Sequence, residues 1–242
     1  MMALPPLVFV PALGCDDRLW QPVADRLAGV LETIVVRGEG NSIRAMADSV
    51  LKRSPERFLL AGNSMGGYVA LDVAIREQSE RVAGLALLNS SAIAADEHRR
   101  ANSLRVVEMA RRGQFEQAVA LITSAVAPGR SDIAESAALM ALDLGVDVFV
   151  EQQIAVMTRD DRRDELSSLD VPTVVIAGSE DSITPSDLGR EVADSVPGAE
   201  FDLLDGVGHL STLEAPDAVA GVLRRWIAGI AATSNVSAEV GQ

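Results

Sequence analysis

The 242-residue sequence is poor in cysteine, histidine and aromatic residues. It has one cysteine, Cys15, and two histidines, and Phe, Trp and Tyr together make up 3% of the chain. One cysteine excludes an internal disulfide and a cysteine-rich metal site, and two histidines would leave a zinc cluster dependent on carboxylates. We therefore predict a protein that uses no metal and no cofactor.

Basic residues are also scarce. Lys and Arg number 21 against 35 Asp and Glu, which gives a formal net charge of −14. A chain of this charge without a basic block is a poor partner for nucleic acid or an anionic membrane surface. No apolar run reaches the 18 residues of a membrane helix, and no basic segment precedes the apolar start as in a signal peptide. We expect a cytoplasmic protein with no membrane or nucleic-acid partner, and the sequence carries no signal for an oligomeric state.

Short apolar runs alternate with helical patterns along much of the chain. Runs that are apolar throughout suit strands covered on both faces, and alternation of strand and helix favours a parallel sheet. We predict an α/β fold with a doubly wound, mostly parallel sheet of about six strands. The predicted strands are residues 7–10, 33–36, 57–62, 85–88, 172–178 and 200–205.

The alternation stops between residues 89 and 171, where no strand candidate occurs. This stretch instead has helical patterns at residues 99–112, 115–127, 133–144 and 149–159. It is too long for a simple crossover between parallel strands, which needs about a dozen residues. We predict an all-helical cap at residues 91–170, a core of residues 1–90 and 171–231, and a disordered tail at residues 232–242.

A candidate nucleophile lies in the segment Gly62-Asn63-Ser64-Met65-Gly66, between a predicted strand and a predicted helix. In a G-x-S-x-G turn the glycines let the backbone bend sharply and expose the serine hydroxyl. One alternative is a structural serine that caps the helix. Another is a phosphate-binding loop, which the absence of a following Lys and of G-x-G-x-x-G spacing disfavours.

A serine nucleophile requires a base and an acid, in the order serine, acid, histidine, each in a loop after a strand. His209 follows the last predicted strand, whereas His98 lies in a polar run typical of an exposed helix start. Asp181 is our choice for the acid because it lies three residues past Gly178, which leaves room for a turn. Glu180 is the alternative.

Two backbone amides are expected to bind the oxyanion. One is that of Met65, directly after the nucleophile, and the other is that of Leu13, in the turn after the first strand. Cys15 lies nearby but lacks a sharp turn and a base, so a nucleophilic role for it is disfavoured.

These motifs make the chain resemble the α/β-hydrolase fold superfamily, from about Leu7 to Ala231. The resemblance is carried by P-A-L-G-C-D-D-R-L-W (11–20), G-N-S-M-G-G (62–67), G-S-E-D (178–181) and G-H-L-S-T-L-E-A-P (208–216). It implies a helical cap inserted where the sequence predicts one, and an eight-stranded sheet in full members of the family. The family's first hairpin is missing from this chain, which leaves six parallel strands. The chain departs from many relatives at Pro11-Ala12, where they have His-Gly, and at Asn63, where they have His.

We interpret the chain as a serine hydrolase for a small carboxylic ester, lactone or thioester that has an apolar part. Five apolar side chains of the predicted cap would line its pocket or, for most of them, form the cap's own core; they are Met109, Phe115, Met140, Phe149 and Met157. The resemblance also allows an acyltransferase or a carbon–carbon bond hydrolase. An alternative from another class is a ligand-binding or proton-transfer protein in which Ser64 takes no part.

Overall fold

A six-stranded parallel sheet forms the centre of the protein, as predicted. The computed structural model describes residues 4–240, and for residues 233–240 the backbone alone. The strands are β1 (Leu7–Val10), β2 (Thr33–Val35), β3 (Phe58–Asn63), β4 (Val82–Leu88), β5 (Thr173–Gly178) and β6 (Glu200–Leu204). Their order across the sheet is β2-β1-β3-β4-β5-β6, and every neighbouring pair is parallel. Their carboxyl ends therefore lie along one edge, where ligands of such sheets bind.

The helices follow the predicted alternation. They are α1 (Gln21–Leu27), α2 (Ile43–Arg53), α3 (Met65–Arg81, with a break at Gln78), α4 (Glu97–Arg111), α5 (Phe115–Val126), α6 (Ser131–Leu144), α7 (Val146–Met157), α8 (Ser186–Ser195), α9 (Ser211–Glu214) and α10 (Pro216–Val240). Short 3-10 segments occur at Asp17–Leu19 and Arg163–Ser168.

Apolar residues cover the sheet on both faces. Helices α1 and α10 pack on one face, and α2, α3 and α8 pack on the other. On the first face the rings of Phe9 and Trp20 stack with centroids 4.2 Å apart, and the Trp20 indole donates a 3.2 Å hydrogen bond to the Val10 carbonyl. The two-sided cover explains why β1, β3, β4 and β5 are buried at every position.

Helices α4–α7 lie between β4 and β5 and form the cap that the sequence predicts. They have an apolar core of their own, which includes Val107, Val119 and Phe149. Residues of α6 such as Ile133 and Met140 pack instead with the apolar core on the sheet face that α1 and α10 cover. The cap is therefore joined to the sheet by apolar packing as well as by the chain.

The end of the chain differs from the prediction. Helix α10 extends to Val240, so residues 232–240 are helical where the sequence analysis expected a disordered tail. No proline or glycine interrupts this stretch, and its alanines favour a helix. Residues 241–242 of the predicted tail lie outside the described residues. Within residues 4–240, none of the helices combines the length and apolar character needed to cross a bilayer.

Candidate active site

Ser64 occupies a sharply bent turn between β3 and α3. Its backbone has φ 54° and ψ −115°, a conformation that non-glycine residues rarely adopt. A Cβ on Gly62 would lie 2.1 Å from the Gly66 carbonyl oxygen, and one on Gly66 would lie 2.1 Å from that of Val10. Both glycines are therefore required. The Ser64 side chain makes no capping hydrogen bond to α3, which argues against a purely structural helix cap.

The structure brings Ser64, His209 and Asp181 together. The Nε2 atom of His209 lies 2.8 Å from the Ser64 Oγ, and its Nδ1 atom lies 2.8 Å and 3.0 Å from the two Asp181 carboxylate oxygens. These residues come from loops after β3, β5 and β6, so the parallel strands account for their meeting. Glu180, the alternative acid, is exposed, and His98 is exposed on the cap.

Asp181 is held in its ionised form. Its Oδ1 atom accepts hydrogen bonds of 2.9 Å from the backbone amides of Ile183 and Thr184. Burial raises its pKa, but the charge of His209 and hydrogen bonds from His209, Thr184 and Asn89 more than compensate, so the pKa lies below 3.8. The carboxylate is thus negative at neutral pH and faces the imidazole.

Asn89, at the carboxyl end of β4, is a site residue that the sequence analysis missed. Its Nδ2 atom donates 3.0 Å hydrogen bonds to Asp181 Oδ2 and to the Gly208 carbonyl, and its Oδ1 accepts a 2.6 Å bond from Ser211. Its φ of 48° is a second strained backbone position beside the site. In the sequence, the feature that could have indicated Asn89 is the polar run at residues 89–91. It directly follows a buried strand and lies at the same sheet edge as Ser64.

Glu214 supports the loop that carries His209. Its two carboxylate oxygens accept hydrogen bonds of 2.8 Å from the Gly208 amide and 3.0 Å from the Leu210 amide. These amides flank His209 on either side. This glutamate lies in the G-H-L-S-T-L-E-A-P motif, and its contact with the two amides depends on how the loop folds back on α9.

The predicted oxyanion donors, Leu13 and Met65, line the same pocket as Ser64 and His209. Neither amide donates a hydrogen bond to another of the described residues, which leaves both available to a ligand. The adjacent Gly14 amide donates a 2.7 Å hydrogen bond to Oε1 of Gln152, a buried residue of cap helix α7. Gln152 thereby ties the turn after β1 to the cap.

The pocket above Ser64 lies between the sheet edge and the cap. It contains about 830 Å³ free of protein atoms, part of it open to solvent. Its apolar lining includes Ile122, Val156 and Met157. Of the five cap side chains named from the sequence, Met157 alone is among the lining residues that the structure describes; the others pack within the protein. The expectation that most of them form core is confirmed.

The two departures from the family pattern lie in different places. Ala12 lines the pocket, whereas Asn63 is buried beneath it and donates a 3.2 Å hydrogen bond to the Leu88 carbonyl. Burial raises the pKa of the Cys15 thiol to about 12, so its reactive thiolate form is scarce. Among the side chains that the structure describes, no three His, Cys, Asp or Glu residues are grouped closely enough to hold a metal ion.

The fold, the cap and the pocket at the strand ends define an α/β enzyme of the hydrolase class. The chain belongs to the alpha/beta hydrolase family, whose model matches residues 7–222. RutD of Rhizobium rhizogenes, which is named as a carbamate hydrolase, is 27% identical to this chain. The match covers 91% of this chain and 92% of RutD. 3-Oxoadipate enol-lactonase 1 of Acinetobacter baylyi is 25% identical over 93% of this chain and 90% of its own. A thermophilic esterase from Thermogutta terrifontis superposes with a TM-score of 0.82, covering 94% of this chain and 91% of the esterase at 24% identity.

Proposed function

We propose that this hydrolase cleaves small carboxylic esters, lactones or thioesters through an acyl-enzyme on Ser64. The observation that carries the proposal is the chain of contacts from Ser64 Oγ to His209 Nε2 and from His209 Nδ1 to Asp181, each 2.8 Å at its shortest. A serine hydroxyl needs such a base to act as a nucleophile at neutral pH.

In the acylation step, His209 Nε2 takes the proton of Ser64 as Oγ bonds to the substrate carbonyl carbon. The carbonyl oxygen becomes negative and accepts hydrogen bonds from the amides of Leu13 and Met65. The bond to the leaving oxygen or sulfur then breaks, and His209 gives its proton to that atom. Asp181 stabilises the imidazolium and remains ionised throughout.

In the deacylation step, His209 takes a proton from water as the water oxygen attacks the acyl carbon. The second tetrahedral intermediate collapses, the bond to Ser64 breaks, and His209 returns the proton to Oγ. The products are the free acid with an alcohol or a thiol, or, from a lactone, a single hydroxy acid, and the enzyme is regenerated. The strained Ser64 backbone holds Oγ at the base of the pocket during both steps.

The relatives support ester and lactone substrates, since one is named an enol-lactonase and a structural neighbour is an esterase. The amides of Leu13 and Met65, which donate to none of the described residues, support acyl chemistry as well, because they are available to a carbonyl oxygen that becomes negative.

A fluorophosphonate probe tests the proposal, because it bonds to an activated serine. We expect labelling of the wild type and of Ser124→Ala, a control at an exposed serine of α5, and none of Ser64→Ala. Hydrolysis of a panel of esters, lactones and thioesters should fall by several orders of magnitude in Ser64→Ala and His209→Ala. Folded Ser64→Ala protein with near-normal turnover would refute the assignment.

A further inference from the structure

Arg159, just after helix α7, is a buried cation that pairs with no carboxylate of the described residues. The residue is 6% exposed, and no carboxylate of a described residue lies within 4.0 Å of its guanidinium. Its Nε donates a 2.9 Å hydrogen bond to the Ile93 carbonyl and its Nη1 a 2.7 Å bond to that of Val156. A guanidinium has five N–H groups, so three donors remain.

Two acidic side chains in the neighbourhood, those of Asp72 and Asp96, are already paired with other arginines. Asp72, which is also buried, contacts both Arg76 and Arg162. Arg99 is 2.5 Å from Asp96. A buried charge without a counter-ion is costly, and burial accordingly lowers the pKa of the Arg159 guanidinium. Arg159 has no such partner among the described residues, and a bound anion would offset the cost of burying its charge.

Arg159 lies at the pocket of the proposed active site. It lines that pocket together with Ser64, and its guanidinium carbon is 4.5 Å from the centre of the Tyr68 ring. Tyr68 is one helical turn from Ser64, since its amide donates a 3.2 Å hydrogen bond to the Ser64 carbonyl. The described pocket lining contains two arginines and no acidic residue, in a chain whose formal net charge is −14.

A structural role explains part of this arrangement. The bond to the Val156 carbonyl caps the end of α7, where a positive charge is favourable. That role uses one donor and does not require the side chain to border the pocket. It also predicts that loss of Arg159 weakens the fold without changing the choice of substrate.

We propose that the pocket takes substrates with a second, anionic carboxylate, which Arg159 binds while the ester or lactone carbonyl lies at Ser64. This inference rests on the proposed function and specifies its substrate class. A guanidinium binds a carboxylate by charge-assisted hydrogen bonds, often two in parallel. The apolar lining then accommodates the carbon chain between the two groups.

The test compares esters of nearly equal size that carry either a charged carboxylate or a neutral amide. Monomethyl esters of five-, six- and seven-carbon dicarboxylic acids are paired with the same esters carrying a primary amide in place of the free carboxylate. Acid release at constant pH gives kcat/KM for each. The wild type should prefer the carboxylate member, and Arg159→Gln should lose about tenfold to a hundredfold on that member with little change on the amide. Arg159→Lys should retain part of the preference, because it keeps the charge.

Arg112→Gln is the matched control, since Arg112 is an exposed cap arginine 3.6 Å from Glu108 and outside the pocket lining. It should leave both kcat/KM values unchanged. An equal loss on both members in Arg159→Gln, or a wild-type preference for the amide, would overturn the inference. If Arg159→Gln does not fold, calorimetry measures how tightly Ser64→Ala binds the free dicarboxylates and their diamides. Binding of the dicarboxylates no tighter than that of the diamides overturns the inference.

The same data separate this inference from the proposed function. Ser64-dependent hydrolysis of the neutral members without a charge preference overturns the anion site alone. Selective dicarboxylate binding without Ser64-dependent hydrolysis of any ester overturns the proposed function and leaves the anion site standing.

Discussion

Replacing Gln152 by Met should lower the rate of catalysis, because Gln152 holds the turn that carries Leu13. The Oε1 atom of Gln152 accepts the 2.7 Å hydrogen bond of the Gly14 amide, and its Nε2 atom is buried with no partner among the described residues. Met has similar size and no comparable acceptor. The substitution therefore leaves the Gly14 amide buried without a partner and releases the turn from the cap.

The substitution should affect both the stability of the fold and kcat. The unsatisfied Gly14 amide costs about 1–3 kcal/mol, and removal of the unpartnered Gln152 Nε2 offsets part of this cost. For a chain of this length each kcal/mol of net loss lowers the melting temperature by roughly 2–4 °C. Loss of one oxyanion donor lowers kcat by about 10²–10³, so a displaced Leu13 amide should lower kcat about tenfold to a hundredfold. KM should change little, because that donor acts chiefly in the transition state.

Steady-state kinetics on a good ester substrate and a thermal melt measure both effects. Thr173→Val is the control, because Thr173 is buried at the amino end of β5 and its hydroxyl donates a 2.9 Å bond to the Val171 carbonyl. This control should lose stability with kcat unchanged. If Gln152→Met also keeps its kcat while its melting temperature falls, the reasoning that links Gln152 to the Leu13 amide is refuted.

Three further predictions concern titratable side chains. Asp181→Asn should lower kcat by a large factor, smaller than that of His209→Ala, with Glu180→Gln close to wild type; the reverse order in ester kinetics would show that Glu180 is the acid. Because the pKa of Asp181 lies below 3.8 in the folded protein, its carboxylate stabilises the fold above that pH, and this contribution disappears as the pH falls through the lower folded pKa. Melting temperatures between about pH 5 and 2 should therefore fall less steeply in Asp181→Asn than in the wild type, and parallel curves would contradict the shift. Since Cys15 is buried and its pKa is about 12, Ellman's reagent at pH 8 should react with it after unfolding and not before; rapid labelling of folded protein would contradict its burial.

The fold could be predicted largely from local patterns. Each predicted strand overlaps an observed one, and the helical stretch between β4 and β5 lies where the alternation of strand and helix stops. The reason is that burial on both faces of a parallel sheet requires continuous apolar runs, which a sequence displays directly. The expected tail differs at residues 232–240, which continue α10, because a helix that is already formed extends residue by residue without a new nucleation cost.

By itself, the sequence determined the sharp turn at Ser64 and the order of Ser64, Asp181 and His209, because glycine spacing and strand ends are local features. The tertiary structure decided that Asp181 and not its neighbour Glu180 faces His209, since the turn after β5 directs consecutive side chains to opposite environments. It also decided the contacts of Asn89 with Asp181, of Gln152 with Gly14 and of Arg159 with the pocket, which join residues far apart in the chain. Such contacts depend on how strand ends and cap come together, and no local pattern of residues encodes them.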